Sequence, residues 1–167
     1  NKIENRYYAI DENKNITDTN AGMAAKAIKG LETDSFKLDD IDLIASGTST
    51  PDQLLPSHAA MVHGELKTKS VEVNSFMGAC VTGMQAMKCA FLSVASGDKD
   101  HAVSTGSERC STWLMAKNFK GETELDSGID SKPILAFDKE FLRWMLSDGA
   151  GAALLEAEQK GDMSLRL

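Results

Sequence analysis

Val71-Glu72-Val73-Asn74-Ser75-Phe76-Met77-Gly78-Ala79-Cys80-Val81-Thr82-Gly83-Met84-Gln85-Ala86-Met87 is the stretch that decides how this chain is read. The β-branched centre of Ser70 to Asn74 predicts a strand. A turn of small residues follows, and Cys80 to Ser96 is expected as the longest helix, ended by Gly97 and Asp98. Met84, Met87, Phe91 and Val94 recur at i, i+3, i+7 and i+10, which marks them as the expected packed face. Cys80 then falls in the first turn of that helix. Unpaired N–H groups and the positive end of the macrodipole stabilise a thiolate there. Gly78, Ala79 and Gly83 would let a thioester and the backbone come close to the sulfur. A cysteine so placed can serve as nucleophile without a base beside it in sequence. A small buried hydrophobe, the common state of a free cysteine, fits the same position, and the pattern leaves both readings open.

Outward from this stretch, strand-like and helical segments alternate. Ala21 to Leu31 is expected to be a helix with Asp18 or Thr19 as its N-cap, and Ile41 to Ala45 a strand closed by the turn-forming Ser46-Gly47-Thr48. Pro51 and Pro56 bracket a loop, after which Ser57 caps a helix from His58 to about Leu66. His101 to Thr105 reads as a strand, Cys110 to Lys117 as a helix, and Phe141 to Leu146 with Ala150 to Glu156 as one strand or two adjoining ones. Asn118 to Pro133 is polar and glycine-containing, so a long surface loop, inserted lobe or lid is expected. This alternation predicts an α/β fold, a sheet with helices on both faces and strands buried on both sides. One compact domain over residues 16 to 157 accommodates all of it.

Composition narrows the function classes. The 167 residues are 42% hydrophobic and 26% charged, the balance of a soluble globular protein rather than a disordered tail. Lys and Arg number 18 against 25 Asp and Glu, giving a net charge of -7, which argues against a nucleic-acid backbone as partner. No apolar run approaches the roughly 18 residues that span a bilayer, so no membrane partner is expected. The polar start, Asn1 to Ile10, does not read as a signal peptide. Cys80, Cys89 and Cys110 are odd in number and lack CxxC spacing, which suits free thiols in a reducing, cytoplasmic setting better than disulfides or zinc.

Four segments in register carry a resemblance. Asp42-Leu43-Ile44-Ala45-Ser46-Gly47-Thr48-Ser49-Thr50-Pro51-Asp52 with Pro56-Ser57 is one, and Gly78-Ala79-Cys80 with Gly83 is another. Gly106-Ser107-Glu108 and Ser147-Asp148-Gly149-Ala150-Gly151-Ala152 complete the set. Together they cover residues 6 to about 157, and they resemble the thiolase-fold condensing enzymes, in particular the β-ketoacyl-acyl carrier protein synthase III family. The last segment is similar to that family's Gly-Asp-Gly-Ala-Gly-Ala motif, with Ser147 in place of the first glycine.

The resemblance implies a half of a layered αβαβα architecture, with a mixed five-stranded-type sheet. It implies that Cys80 accepts an acyl group as a thioester. A malonyl thioester then loses carbon dioxide, and its carbanion attacks the bound acyl group. Acyl-CoA and malonyl-acyl carrier protein would be the substrates, with no cofactor beyond them, and a homodimer paired through sheet edges would be the assembly. The family's catalytic His and its His or Asn partner are expected in a second half beyond residue 167. Its first strand, expected at the centre of this sheet, would precede residue 1. The chain is thus expected to be most of an N-terminal half, inactive by itself. A thiolase or hydroxymethylglutaryl synthase relative and a non-catalytic partner subunit are the alternative functions.

Other candidates carry less. Glu108 at a strand end and Arg143 beside Trp144 are candidate substrate contacts, Arg143 to a coenzyme A phosphate. A solvated or salt-bridged Glu108, and an Arg143 paired with Asp138 or Glu140, are the blander expectations. His58, His63 and His101 are expected on the surface or on helix faces, and no acidic cluster joins them to suggest a metal. Cys89 and Cys110 are expected as core, and Met23, Met61, Met84, Met87 and Met145 as core filler. Asp148-Gly149-Ala150-Gly151 opens no helix, so phosphate binding is disfavoured. Its small residues are expected instead to pack against the helix after Cys80.

Overall fold

A computed structural model describes residues 4–115, 118 and 146–158. The chain divides into two compact units, Asp18–Glu108 with Gly149–Leu167, and Asn1–Thr17 with Arg109–Asp148. The expected loop over 118–133 lies outside the described residues apart from Asn118, as do Arg143 and residues 141–145 of the expected strand.

The larger unit holds helix α1 (Asn20–Lys29), strand β1 (Leu43–Thr48), helix α2 (His58–Leu66), strand β2 (Glu72–Met77), helix α3 (Thr82–Ala95), strand β3 (His101–Glu108) and strand β4 (Gly149–Glu156). Local chemistry sets these boundaries. Thr19 Oγ1 accepts the Gly22 N–H at 2.9 Å and starts α1, while Ser57 Oγ accepts the Ala60 N–H at 3.4 Å and starts α2. Gly97, at φ +75°, supplies the left-handed residue that closes α3.

The four strands form one sheet in the order β2-β1-β3-β4. β2, β1 and β3 are parallel and β4 runs antiparallel to β3, so the sheet is mixed as expected. Parallel neighbours need crossovers, which α2 and α3 provide. β1 pairs directly with β3, from Leu43↔Ala102 to Gly47↔Gly106, and β3 directly with β4. Every interior position is filled, and this corrects the expected place of the family's first strand. A further strand could join this sheet only at an edge.

Side-chain alternation divides the sheet between two cores. Ile44 and Val103 face α1 and α2, where Ala21, Ala24, Ala25, Ile28 and Val62 are buried. Leu43, Ala45, Ala102 and Leu155 face α3 and meet Ala86, Ala90 and Val94. Val94 of the expected stripe is buried, but the packed face runs on through Ala86 and Ala90 four residues apart rather than through Met84 and Phe91. Met84 is 63% exposed and Phe91 40% exposed, so Met84 is not core filler.

The smaller unit is organised by Asp148. Its carboxylate accepts the Ala9 N–H at 2.7 Å and the Ser111 N–H at 2.8 Å, at the start of the short helix α4 (Ser111–Leu114). Its own N–H donates to the Tyr7 carbonyl. The expected helix from Cys110 to Lys117 is shorter than its apolar run suggested.

Candidate active site

Cys80 lies in the turn between the C-terminal end of β2 and the start of α3, two residues before the first helical residue Thr82. It is exposed in this chain, unlike Cys110. It precedes the helix rather than occupying its first turn: Thr82 N–H donates to the Ala79 carbonyl at 3.1 Å, tightening the turn, and no side chain caps the helix at Val81. Met77, Val81 and Met84, near Cys80 in sequence, are exposed apolar side chains. Cys110 is buried, and Cys89 is half-buried with its sulfur 3.7 Å from Asn74 Nδ2, both as expected of packed cysteines.

What holds the turn in place is a backbone contact under α3. A Cβ on Gly47 would lie 2.4 Å from both the carbonyl carbon and the oxygen of Thr82, and 2.7 Å from the Gly83 nitrogen. No side chain fits there. A Cβ on Gly106 would lie 3.5 Å from the Gly83 Cα, so the adjacent strand also meets the helix backbone. The first turn of α3 therefore rests on the main chains of β1 and β3. The expectation that Gly149 and Gly151 seat this helix is corrected, since a Cβ on either would meet nothing within 4 Å.

At the same end of the sheet lies a polar cluster that the sequence did not announce. Asn20 is wholly buried, and its Nδ2 donates to Thr48 Oγ1 at 2.8 Å and to the Thr50 carbonyl at 2.7 Å. Asp52 accepts the N–H groups of Asn20 and Ala21 at 2.9 and 2.8 Å, bringing a negative charge to the N-terminus of α1. Glu108 accepts the Ser49 N–H at 2.6 Å through Oε1 and the Thr50 hydroxyl at 2.7 Å through Oε2. Its carboxylate is turned onto the loop after β1, closer to the bland expectation than to a free substrate contact. The one signal in sequence was the Thr-Ser-Thr run opposite a strand ending in Glu.

The histidines occupy three separate places. His58 lies on helix α2, as expected, and is buried there; its Nε2 lies 3.1 Å from Ser107 Oγ. Burial holds its pKa below the ordinary value, with Asp52 and Glu108 opposing that shift. His63 Nε2 contacts the Lys69 carbonyl at 2.9 Å. His101, at the opposite end of the strands, sits between Asp42 and Glu156. An open cleft of about 470 Å³ at that far end is lined by Asp42, Lys69, Glu72 and Lys99 among others, away from Cys80. Among the described residues no three His, Cys, Asp or Glu side chains gather as a metal site, and no helix is long and apolar enough to cross a membrane.

The mixed sheet with helices on both faces is shared with condensing enzymes of known structure. The solved structures agree in fold. AbyA1, a tetronic acid condensing enzyme, superposes with a TM-score of 0.72 at 24% identity, over 93% of this chain and 43% of that one. A β-ketoacyl-[acyl carrier protein] synthase III of Thermus thermophilus gives 0.65 at 21% identity, over 93% and 40%. Residues 10–161 match the beta-ketoacyl synthase N-terminal domain, and the chain belongs to that family. A beta-ketoacyl-[acyl-carrier-protein] synthase III of Rhizorhabdus wittichii is 29% identical over 160 residues, 96% of this chain and 42% of that protein. Its counterpart in Clostridium perfringens is 35% identical over 112 residues, 67% of this chain and 33% of that protein. The chain thus spans less than half the length of the curated relatives it matches.

Proposed function

We propose that this protein makes carbon–carbon bonds between thioesters, with Cys80 as the acyl acceptor. The exposed sulfur at the β2–α3 turn, above a helix start locked against Gly47, is the observation that carries the reading. The Cys80 thiolate attacks the carbonyl of an acyl-CoA, and the coenzyme thiolate leaves and takes up a proton. A malonyl thioester on acyl carrier protein then loses carbon dioxide. Its carbanion attacks the Cys80 thioester carbonyl, the β-ketoacyl thioester departs, and the Cys80 thiolate is regenerated. Preorganisation of the sulfur is this chain's contribution, since misplacement by about 1 Å costs on the order of 10²-fold in rate.

The groups that stabilise the developing oxyanion and promote decarboxylation belong, in this reading, to a second half of the protein. The outward face of α3 supports a covering partner. Met84, Phe91 and Leu92 are exposed there beside Lys88, while Ala86 and Ala90 are buried on the other side, so the outward face carries more apolar surface than a solvated helix face needs. The outer edge of β2 is unpaired among the described residues and would serve a homodimer. The reaction would be cytoplasmic.

The test is condensation by the full-length protein with octanoyl-CoA and a malonyl thioester labelled at its free carboxylate. Release of labelled carbon dioxide with formation of a β-ketoacyl thioester, both lost in Cys80→Ala, is the expected result. Product formation that persists without Cys80 would remove the reading.

A further inference from the structure

We propose that Glu108 is a positioning residue for Cys80, acting as a carboxylate staple that joins the ends of β1 and β3 beneath α3; this rests on the nucleophile reading above. The last ladder pair between these strands is Gly47↔Gly106. Those two residues are also the ones whose main chains meet Thr82 and Gly83 in the first turn of α3. Beyond that pair no ladder bond ties β1 to β3, and the strand ends would be free to part. Glu108 closes the gap from the β3 side, with one oxygen on the Ser49 N–H and the other on the Thr50 hydroxyl. Charge-assisted bonds of this length are the strong kind.

Thr50 is itself fixed from behind. Its N–H donates to Thr48 Oγ1 at 3.1 Å, and its carbonyl accepts from the buried Asn20. Asp52 returns the contact by holding the first amides of α1. The loop after β1 is therefore gripped on two sides, and the grip begins one residue from Gly47. A change in the separation of residues 47 and 106 moves the seat of α3, and Cys80 is two residues from that seat. Glu108 touches no reacting atom in this account; it fixes where the sulfur stands.

The experiment uses the full-length protein and follows acylation of Cys80 by octanoyl-CoA. Glu108→Ala is expected to lower the saturating rate by about 10- to 100-fold while leaving the half-saturating concentration unchanged. Glu108→Gln, which keeps one acceptor for Ser49 and offers a donor to the Thr50 oxygen, should restore most of that rate. His101→Ala, destabilising at the far end of the same sheet, should leave the rate unchanged. Should Glu108→Ala fail to fold, Thr50→Val removes one arm of the staple and is expected to slow the reaction in the same direction. An unchanged rate in the Glu108 and Thr50 variants, or an equal loss in His101→Ala, overturns the proposal. If the wild type is not acylated at all, the nucleophile reading fails. The staple is then judged by Cys80 alkylation with iodoacetamide, whose rate must change in Glu108→Ala and recover in Glu108→Gln.

Discussion

Gly47 of β1 and Thr82 of α3 meet main chain to main chain, with no space between them for even a methyl group. Overpacking such a contact forces the helix off the sheet and costs about 1–3 kcal/mol. Gly47→Ala is therefore expected to destabilise the protein and to slow the chemistry at Cys80 together. Gly64, exposed within α2 with nothing within 4 Å of its would-be Cβ, should respond oppositely. Gly64→Ala is expected to stabilise by about 0.5–1 kcal/mol through helix propensity. Urea unfolding of the two variants checks the opposite signs.

Buried His58 gives stability a pH dependence. Burial depresses its native pKa, so the native state binds the proton less readily than the unfolded chain, whose value is near 6.5. Its contribution is fully present above about pH 6.5 and is lost as pH falls below that value toward the depressed native pKa. His58→Gln should flatten this part of the profile. Unfolding free energies between pH 7.5 and 5.5 are the measurement, and parallel profiles for the two proteins would contradict the assignment.

Asp52 should behave as a cap delivered from a distant loop. Asp52→Ala leaves the Asn20 and Ala21 amides without their acceptor and is expected to cost about 1–2 kcal/mol. Asp52→Asn, which retains one acceptor oxygen, should lose less. Equilibrium denaturation of both variants, alongside Thr19→Ala at the ordinary N-cap, measures how the load is divided.

If a second half of the protein covers α3, Phe91 is a core residue there. Phe91→Ala in the full-length protein is then expected to cost about 3 kcal/mol or more, as buried aromatic truncations do. A residue left at its present 40% exposure would lose far less. Glu65→Ala, exposed on α2 in the other layer, is the comparison, expected to stay within about 0.5 kcal/mol.

The contrast between α2 and α3 shows what the sequence made legible. Pro56-Ser57 marked the start of α2 to the residue, because a hydroxyl N-cap acts locally. The alternation of strands and helices was equally plain, and the spacing of four motifs placed Cys80 in its fold. The packed face of α3 was not plain. Periodicity weights large apolar side chains, whereas this helix approaches its sheet closely through Ala86 and Ala90 and turns Met84 and Phe91 outward. β1 extended to Thr48 for a related reason. Ser46 and Thr48 look like turn residues, yet both are buried, with Ser46 bonded to Thr105 at 2.5 Å and Thr48 to Asn20. Partners fifty-nine and twenty-eight residues away satisfy them, and local sequence does not carry such pairings. Glu108 was noticed for its place at a strand end, but its use as a staple depended on the same kind of distant contact.

Mass spectrometry of the full-length protein after incubation with octanoyl-CoA tests the central claim most directly. One acyl group is expected, on the peptide containing Cys80, released by hydroxylamine as a thioester and absent from Cys80→Ser. A well-folded protein that takes up no acyl group, or carries it on Cys89 or Cys110, would contradict the account.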